Sequence, residues 1–193
     1  RRRGGFVEAQ GGGTVLLTRG SVALEMGLPV LAVVAHAQTF SDGAHTSIPA
    51  PGLGALAVAR GGRDSVIARN LAELGVGIDD VAFVSKHDTS TNANDPNESD
   101  LHTRVGMALG RTPGNTLLVI SQKTLTGHAK GGACVFQVGG IIDVFRTGLI
   151  PANVALDCVD DAMEQYGPLV WLRSPLNLSS RGPVRAAFAT SLG

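Results

Sequence analysis

The sequence predicts a layered α/β domain whose sheet is covered on both faces. Two observations carry this. The candidate strands are short, continuously apolar runs rather than alternating ones, as expected of strands buried on both sides. These runs alternate with candidate helices, the order that builds a helix-flanked sheet.

Val15 to Thr18 and Val30 to Val34 read as buried strands, with a helix from Ser21 to Met26 between them. Asp42 to Pro51 is dominated by proline, glycine and hydroxyl residues and reads as loop. Ser65 to Gly75 predicts a helix: Val66, Ile67, Leu71 and Leu74 share one face, and Asp64 is placed to cap it. Val81 to Ser85 is the next strand, followed by a polar stretch from Lys86 to Asp95 and a helix from near Asn97 to Leu109. Thr116 to Ile120 is another buried strand, again followed by a polar loop. Gly131 to Leu149 reads as an apolar helix with Cys134 as a small buried residue in it, and Val184 to Thr190 as a closing strand.

Length and composition bound the function. The 193 residues suit one domain or a large part of one. Hydrophobic residues make up 44% and charged residues only 17%, so part of the surface is expected to be covered by other protein. The formal net charge is zero and aromatics are 4%, which gives no nucleic-acid footprint. No run of about 18 apolar residues appears, which argues against a membrane span. The basic start Arg1 to Arg3 is not followed by the apolar stretch of a signal peptide. Cys134 and Cys158 are the only cysteines and form no CxxC pair, as suits a reducing, cytoplasmic setting. Residue 1 is not methionine, and Ala186 to Gly193 runs from a strand into a glycine turn; the chain is expected to be part of something longer.

In layered α/β domains, ligands sit at polar loops leaving the strand ends. Two such loops carry histidine here. The first is Ser85-Lys86-His87-Asp88-Thr89-Ser90-Thr91, an imidazole followed by alternating hydroxyls. The second is Ser121-Gln122-Lys123-Thr124-Leu125-Thr126-Gly127-His128-Ala129-Lys130-Gly131, where Gly127 and Gly131 would allow close backbone approach. Taken singly, a histidine at a strand end or a lysine in a loop reads as structural or solvated. Gly11-Gly12-Gly13 does not follow a strand in the dinucleotide-binding pattern, so that reading is set aside.

Taken together, the loops resemble the β-ketoacyl synthase family, with its His-Gly-Thr-x-Thr and Lys-x-x-x-Gly-His motifs. They stand here as His87-Asp88-Thr89-Ser90-Thr91 and Lys123-Thr124-Leu125-Thr126-Gly127-His128, with room between for one helix and one strand. Asp88 replaces the usual glycine. With the continuation Asn92-Ala93-Asn94-Asp95-Pro96-Asn97-Glu98, that variant is similar to the synthase domains of fungal and mycobacterial type I fatty acid synthases. Gly5-Phe6-Val7 through Gly13 resembles the family's glycine-rich turn, and Asp42 to Gly52, with Ser47, its channel-bordering loop.

The resemblance implies a thiolase-like layered αβαβα fold of which residues 1–193 are the C-terminal half, the nucleophile-bearing half lying upstream. Neither Cys134 nor Cys158 fits the nucleophile's elbow of small residues. The implied reaction is decarboxylative Claisen condensation in fatty acid elongation, an acyltransferase activity that this piece alone would lack. His87 and His128 are implied as oxyanion donors and Lys123 as their organiser. Glu98, eleven residues beyond the first histidine, is implied as the partner of Lys123. Thr89 and Thr91 are implied as contacts for the phosphopantetheine arm of an acyl carrier protein and Ser47 as a substrate-binding residue of the channel-bordering loop, with no tightly bound cofactor and no metal. The implied partners are the carrier domain, the rest of a synthase chain and further copies in a homo-oligomer. A thiolase-like or chalcone-synthase-like enzyme is disfavoured by the Lys123 to His128 motif. A non-catalytic thiolase-like partner subunit is the alternative from another class.

Overall fold

A computed structural model describes residues 4–41, 56–154 and 156–192. Its centre is a four-stranded, all-parallel sheet. Strand β1 (Val81–Ser85) lies between β2 (Leu117–Ile120) and the last strand, Ala186–Ala189, while Leu169–Trp171 pairs with the outer edge of β2. Phe83 registers with Leu118 on one side of β1 and with Ala187 on the other. Parallel neighbours need a long crossover. A helix, Asn94–Ala108, supplies it between β1 and β2. A second helix, Ala133–Thr147, follows β2. It leads into a two-stranded antiparallel ribbon, Leu149–Ile150 with Leu176–Asn177. In chain order the strands are thus β1, β2, β3 (Leu149–Ile150), β4 (Leu169–Trp171), β5 (Leu176–Asn177) and β6 (Ala186–Ala189). Among the described residues the α-helices are α1 (Gly20–Glu25), α2 (Val66–Glu73), α3 (Asn94–Ala108), α4 (Lys123–Thr126) and α5 (Ala133–Thr147).

The pleat sends neighbouring residues to opposite faces. Phe83 and Ile120 pack with Val144 of α5 and with Ile150, while Val84 and Val119 cluster with Leu117 and Leu169. On that second side, Phe188 touches both the Val84 cluster and the one made by Ile67 and Leu71 of α2 with Leu101 and Val105 of α3. The sheet is therefore covered on both faces, as its unbroken apolar strands predict.

Several boundaries differ from the sequence reading. Helix α2 is capped by Ser65, whose hydroxyl accepts from the Ala68 N–H at 3.3 Å, and not by Asp64. Of its apolar face, Ile67 and Leu71 are buried, whereas Val66 and Leu74 stay exposed. Helix α3 begins at Asn94, ahead of the expected Asn97, because Pro96 falls in the first turn, where no N–H is required. Strands β3, β4 and β5 are too short for the sequence pattern to separate from loop.

The larger difference lies near the N-terminus. Helix α1 forms where expected, but Val15 to Thr18 and Val30 to Val34 are not strands. No strand among the described residues pairs with them, and Leu16 and Val33 are 78% and 66% exposed. An apolar run signals a need for burial, whereas a strand also needs a hydrogen-bonded neighbour. Covering such a side chain is worth about 1.5–3 kcal/mol, and the described residues leave these ones uncovered.

Candidate active site

The parallel sheet delivers β1 and β2 side by side, so the loops leaving them meet at one end. The Lys86 N–H donates to the Ile120 carbonyl at 3.0 Å, carrying the β1–β2 pairing one step beyond the strand. The chain then turns at Asp88, whose φ is +29°. Two carboxylates of α3 hold that turn: Glu98 accepts from the His87 N–H at 2.6 Å and the Asp88 N–H at 3.0 Å, and Asp95 accepts from the Thr89 N–H at 3.1 Å. Glu98 also takes the Thr190 hydroxyl and, at 3.3 Å, the Asn94 side-chain amide.

Glu98 is fully buried. Burial pushes its pKa up, but His102, Lys86 and the Thr190 hydroxyl outweigh this and hold it well below the usual carboxylate range. Asn94, Glu98 and His102 recur every four residues along α3, a buried polar stripe beside the apolar pair Leu101 and Val105.

Lys123 opens α4. Its Nζ donates to His87 Nδ1 at 3.1 Å and to the His87 carbonyl at 2.6 Å. It does not touch Glu98. The expected Lys123–Glu98 pair is thus replaced by two grips on His87, one on its ring and carbonyl and one on its N–H, with the two charges acting on each other only through space. Burial pulls the Lys123 pKa below the ordinary lysine value, against the pull of Glu98, Asp88 and Cys134.

His128 is fixed by the segment before α1. Its N–H donates to the Val7 carbonyl at 2.7 Å, and its carbonyl accepts from the Ala9 N–H at 3.1 Å. The Gly5 N–H meets the Ser90 carbonyl at 3.0 Å, so the same segment touches both histidine loops. Gly127 makes the close pass possible: its φ is +68°, and a Cβ there would lie 2.7 Å from the Ala9 Cβ. Gly131, the other expected close approach, has open space around it, and Gly132 instead packs onto the Gly11 carbonyl.

The two imidazoles meet edge to face, with ring centroids 5.1 Å apart and planes at 86°. Their tautomers follow from their partners. An ammonium has no acceptor, so His87 Nδ1 must accept from Lys123. His128 Nδ1 accepts from the Lys130 N–H at 3.0 Å. In the neutral form both rings therefore carry their proton on Nε2, and neither Nε2 meets a hydrogen-bond partner among the described residues. Burial and then Lys123 push the His87 pKa down to about 4, partly offset by Glu98. The same two causes lower that of His128. Near neutral pH the site presents two uncharged imidazoles from two loops, each with its N–H on Nε2.

Thr89 and Thr91 lie in the same loop. Their hydroxyls are 3.0 Å apart, and Thr91 Oγ1 also accepts from the Asn94 N–H at 3.1 Å. Ser47 lies outside the described residues. Cys134 is exposed at the start of α5, not buried as expected; Ala133 and Gln137 take the inward positions of that turn. Cys158 is exposed as well. Among the described residues no group of three or more His, Cys, Asp or Glu side chains could hold a metal ion, and no helix is long and apolar enough to cross a membrane.

The sequence reading missed the residues that hold this end of the sheet in place. Asn153 is buried and accepts from the Ser121 N–H at 2.7 Å while donating to the Val119 carbonyl at 3.0 Å. The Gln137 amide nitrogen reaches the carbonyls of Ser85 at 2.8 Å and Thr190 at 3.0 Å, tying β1 to β6. Lys86, read as a loop lysine, is fully buried. Only His102 carried a local signal, four residues from Glu98 on a helix.

Comparison with known proteins identifies the family and the fold. The family described as "Beta-ketoacyl synthase, C-terminal domain" matches residues 31–157. The chain is 42% identical over 193 residues to the fatty acid synthase alpha subunit stcJ of Emericella nidulans, covering 99% of this chain and 12% of that protein. It is 37% identical over 194 residues to fatty acid synthase 2 of Mycosarcoma maydis, covering 99% of this chain and 5% of the relative. The chain thus spans a small part of the curated relatives it matches. Among solved structures, the Streptomyces albus oxazolomycin ketosynthase domain OzmH KS7 superposes with a TM-score of 0.61 at 22% identity, covering 82% of this chain and 26% of that one. The ishigamide ketosynthase/chain length factor gives 0.66 at 24% identity, covering 91% and 40%. The parallel sheet with its two histidine loops therefore has the thiolase-like fold of ketosynthases, and the chain belongs to the β-ketoacyl synthase family as its C-terminal domain.

Proposed function

We propose that this chain supplies the decarboxylation half of a β-ketoacyl synthase site that elongates fatty acyl chains within a type I synthase. The observation that supports the reading most is the pair of Nε2–H donors set by Lys123 and the Lys130 N–H. In this reading the bond from the malonyl α-carbon to its carboxylate breaks and carbon dioxide leaves. The electron pair passes into the thioester as an enolate, whose oxygen takes the two N–H groups. The α-carbon then forms a bond to an acyl carbon held as a thioester on a cysteine outside this chain, and that thiolate leaves. Preorganised donors aimed at developing charge are the main lever for such a step. Neutral imidazoles suit it, since they stabilise an oxyanion without giving up a proton.

Thr89 and Thr91 are the proposed contacts for the phosphopantetheine arm of an acyl carrier protein, and Ser47 a proposed substrate-binding residue. The exposed apolar run through Leu16 and Val33 fits a cover by the rest of the condensing domain, in a multidomain cytoplasmic assembly of several copies. The test is to supply malonyl- and acyl-pantetheine thioesters to the condensing domain with its nucleophile-bearing half present. Carbon dioxide release coupled to β-ketoacyl product supports the reading. Binding of both thioesters without turnover would favour a non-catalytic partner subunit.

A further inference from the structure

Asp88 stands at a turn that it does not suit. At φ +29° a side chain is strained, yet the residue here bears a charge and that charge is fully engaged. Asp88 Oδ1 accepts from Lys86 Nζ at 2.6 Å, and Oδ2 accepts from the Ser121 hydroxyl at 2.5 Å. Lys86 is itself fully buried, donates to Ser99 of α3 at 2.8 Å, and lies 5.6 Å from the Trp171 ring centroid on β4. Among the described residues Ser121 Oγ has no other hydrogen-bond partner, and Ser121 immediately precedes the Gln122-Lys123 turn.

Asp88 therefore bridges two loops. One carries His87, one residue away. The other carries Lys123 and, after α4, His128. Because Lys86 is locked between α3 and β4, the carboxylate it holds is a fixed point, and Ser121 is tied to that point. The backbone contact from Lys86 to Ile120 joins the loops at their roots, the Asp88–Ser121 bond adds a side-chain tie further along each, and Lys123 joins them again at His87.

We propose that Asp88 is a positioning residue of this site: held by buried Lys86, its carboxylate ties the His87 loop to the Lys123–His128 loop through Ser121 and so sets the spacing of the two imidazole donors. The inference rests on the condensing-enzyme reading. Misplacing catalytic donors by about 1 Å can cost on the order of 10²-fold in rate.

Asp88 also lies near enough to Lys123 to favour its protonated form. The groups acting on Lys123 are His87 and Asp88 from the β1 loop, Glu98 from α3, His128 from its own loop and Cys134 from α5. Loss of the Asp88 charge would let Lys123 deprotonate at lower pH.

The test uses the full condensing domain and malonyl-pantetheine thioester, with the rate of carbon dioxide release as readout. Ser121→Ala cuts the tie and leaves the buried Lys86–Asp88 pair whole, so folding is not at stake. The expected result is a fall in kcat of roughly ten- to a hundredfold with little change in KM. Asp88→Asn keeps an acceptor for Ser121 but removes the charge, and should move the basic limb of the pH profile to lower pH. Wild-type kcat in Ser121→Ala together with an unmoved basic limb in Asp88→Asn overturns the proposal. His87→Ala serves as the control. If it too retains full rate, the condensing reading itself fails; if it is inactive while both Asp88-directed variants behave as wild type, only this inference falls.

Discussion

Lys123 grips His87 twice, by its Nδ1 at 3.1 Å and by its carbonyl at 2.6 Å, so one ammonium sets both the tautomer and the orientation of the first donor. The second donor has no such cation; a backbone N–H, that of Lys130, does the equivalent work for His128. The asymmetry makes the two imidazoles separable by mutation.

Lys123→Ala should therefore act on His87 and spare the hydrogen bond that fixes His128. We expect the decarboxylation rate to fall at least about tenfold, but by less than the 10²–10³-fold typical of deleting an oxyanion donor outright. Steady-state kinetics on malonyl thioester measures it, and a loss as large as that of His87→Ala would mean that Lys123 does more than orient.

The pH dependence follows from the lowered histidine pKa values. His87 at about 4 stays neutral through the range where an ordinary histidine, near 6.5, takes up a proton. The acidic limb of kcat should thus lie below the usual histidine range. Stability should change in the same window with a definite sign. The unfolded chain binds a proton near 6.5 and the folded one does not until about 4, so His87 costs stability as pH falls between those values. Chemical denaturation at several pH values, wild type against His87→Gln, reads that slope. Equal slopes would contradict the burial argument.

Glu98 is predicted to be structural as much as functional. Glu98→Ala leaves the His87 and Asp88 N–H groups without their acceptor and removes a charge that acts on buried Lys86. Breaking a buried charge constellation from one side costs about 3–5 kcal/mol. Denaturant unfolding of the full domain should show a loss of that order, whereas a loss below about 1 kcal/mol would show that water replaces the carboxylate.

Gly127→Ala tests the close pass of residues 7–9. It combines φ +68° with a contact of 2.7 Å to the Ala9 Cβ, so the His128 loop or the Val7–Ala9 segment must move. Backbone strain of this kind costs about 1–3 kcal/mol. Activity should fall with that displacement, while Gly131→Ala, in open space, should change little.

Much of this was legible in the sequence because it is local. Continuous apolar runs marked β1 and β2, and the polar loops after them marked the site. The resemblance carried by the two motifs brought His87, Lys123, His128 and Glu98 into view, and the structure gathers all four at one sheet end. What stayed hidden depends on distant partners. Asn153, Gln137 and Thr190 act through bonds to residues far along the chain. Lys86 looked like any loop lysine until α3 and β4 closed over it. The segments at Val15 and Val30 show the converse: they were read as buried strands and are neither, since a strand also needs a neighbour, and that is not written in its own residues.

The most direct test of the account is the rate of malonyl-thioester decarboxylation by the full condensing domain in His87→Ala and His128→Ala, with folding checked by circular dichroism. Paired Nε2–H donors predict a fall of about 10²–10³-fold in each single variant. Near-wild-type rates in both would mean that the two imidazoles only shape the loops, and would contradict the oxyanion role on which the account rests.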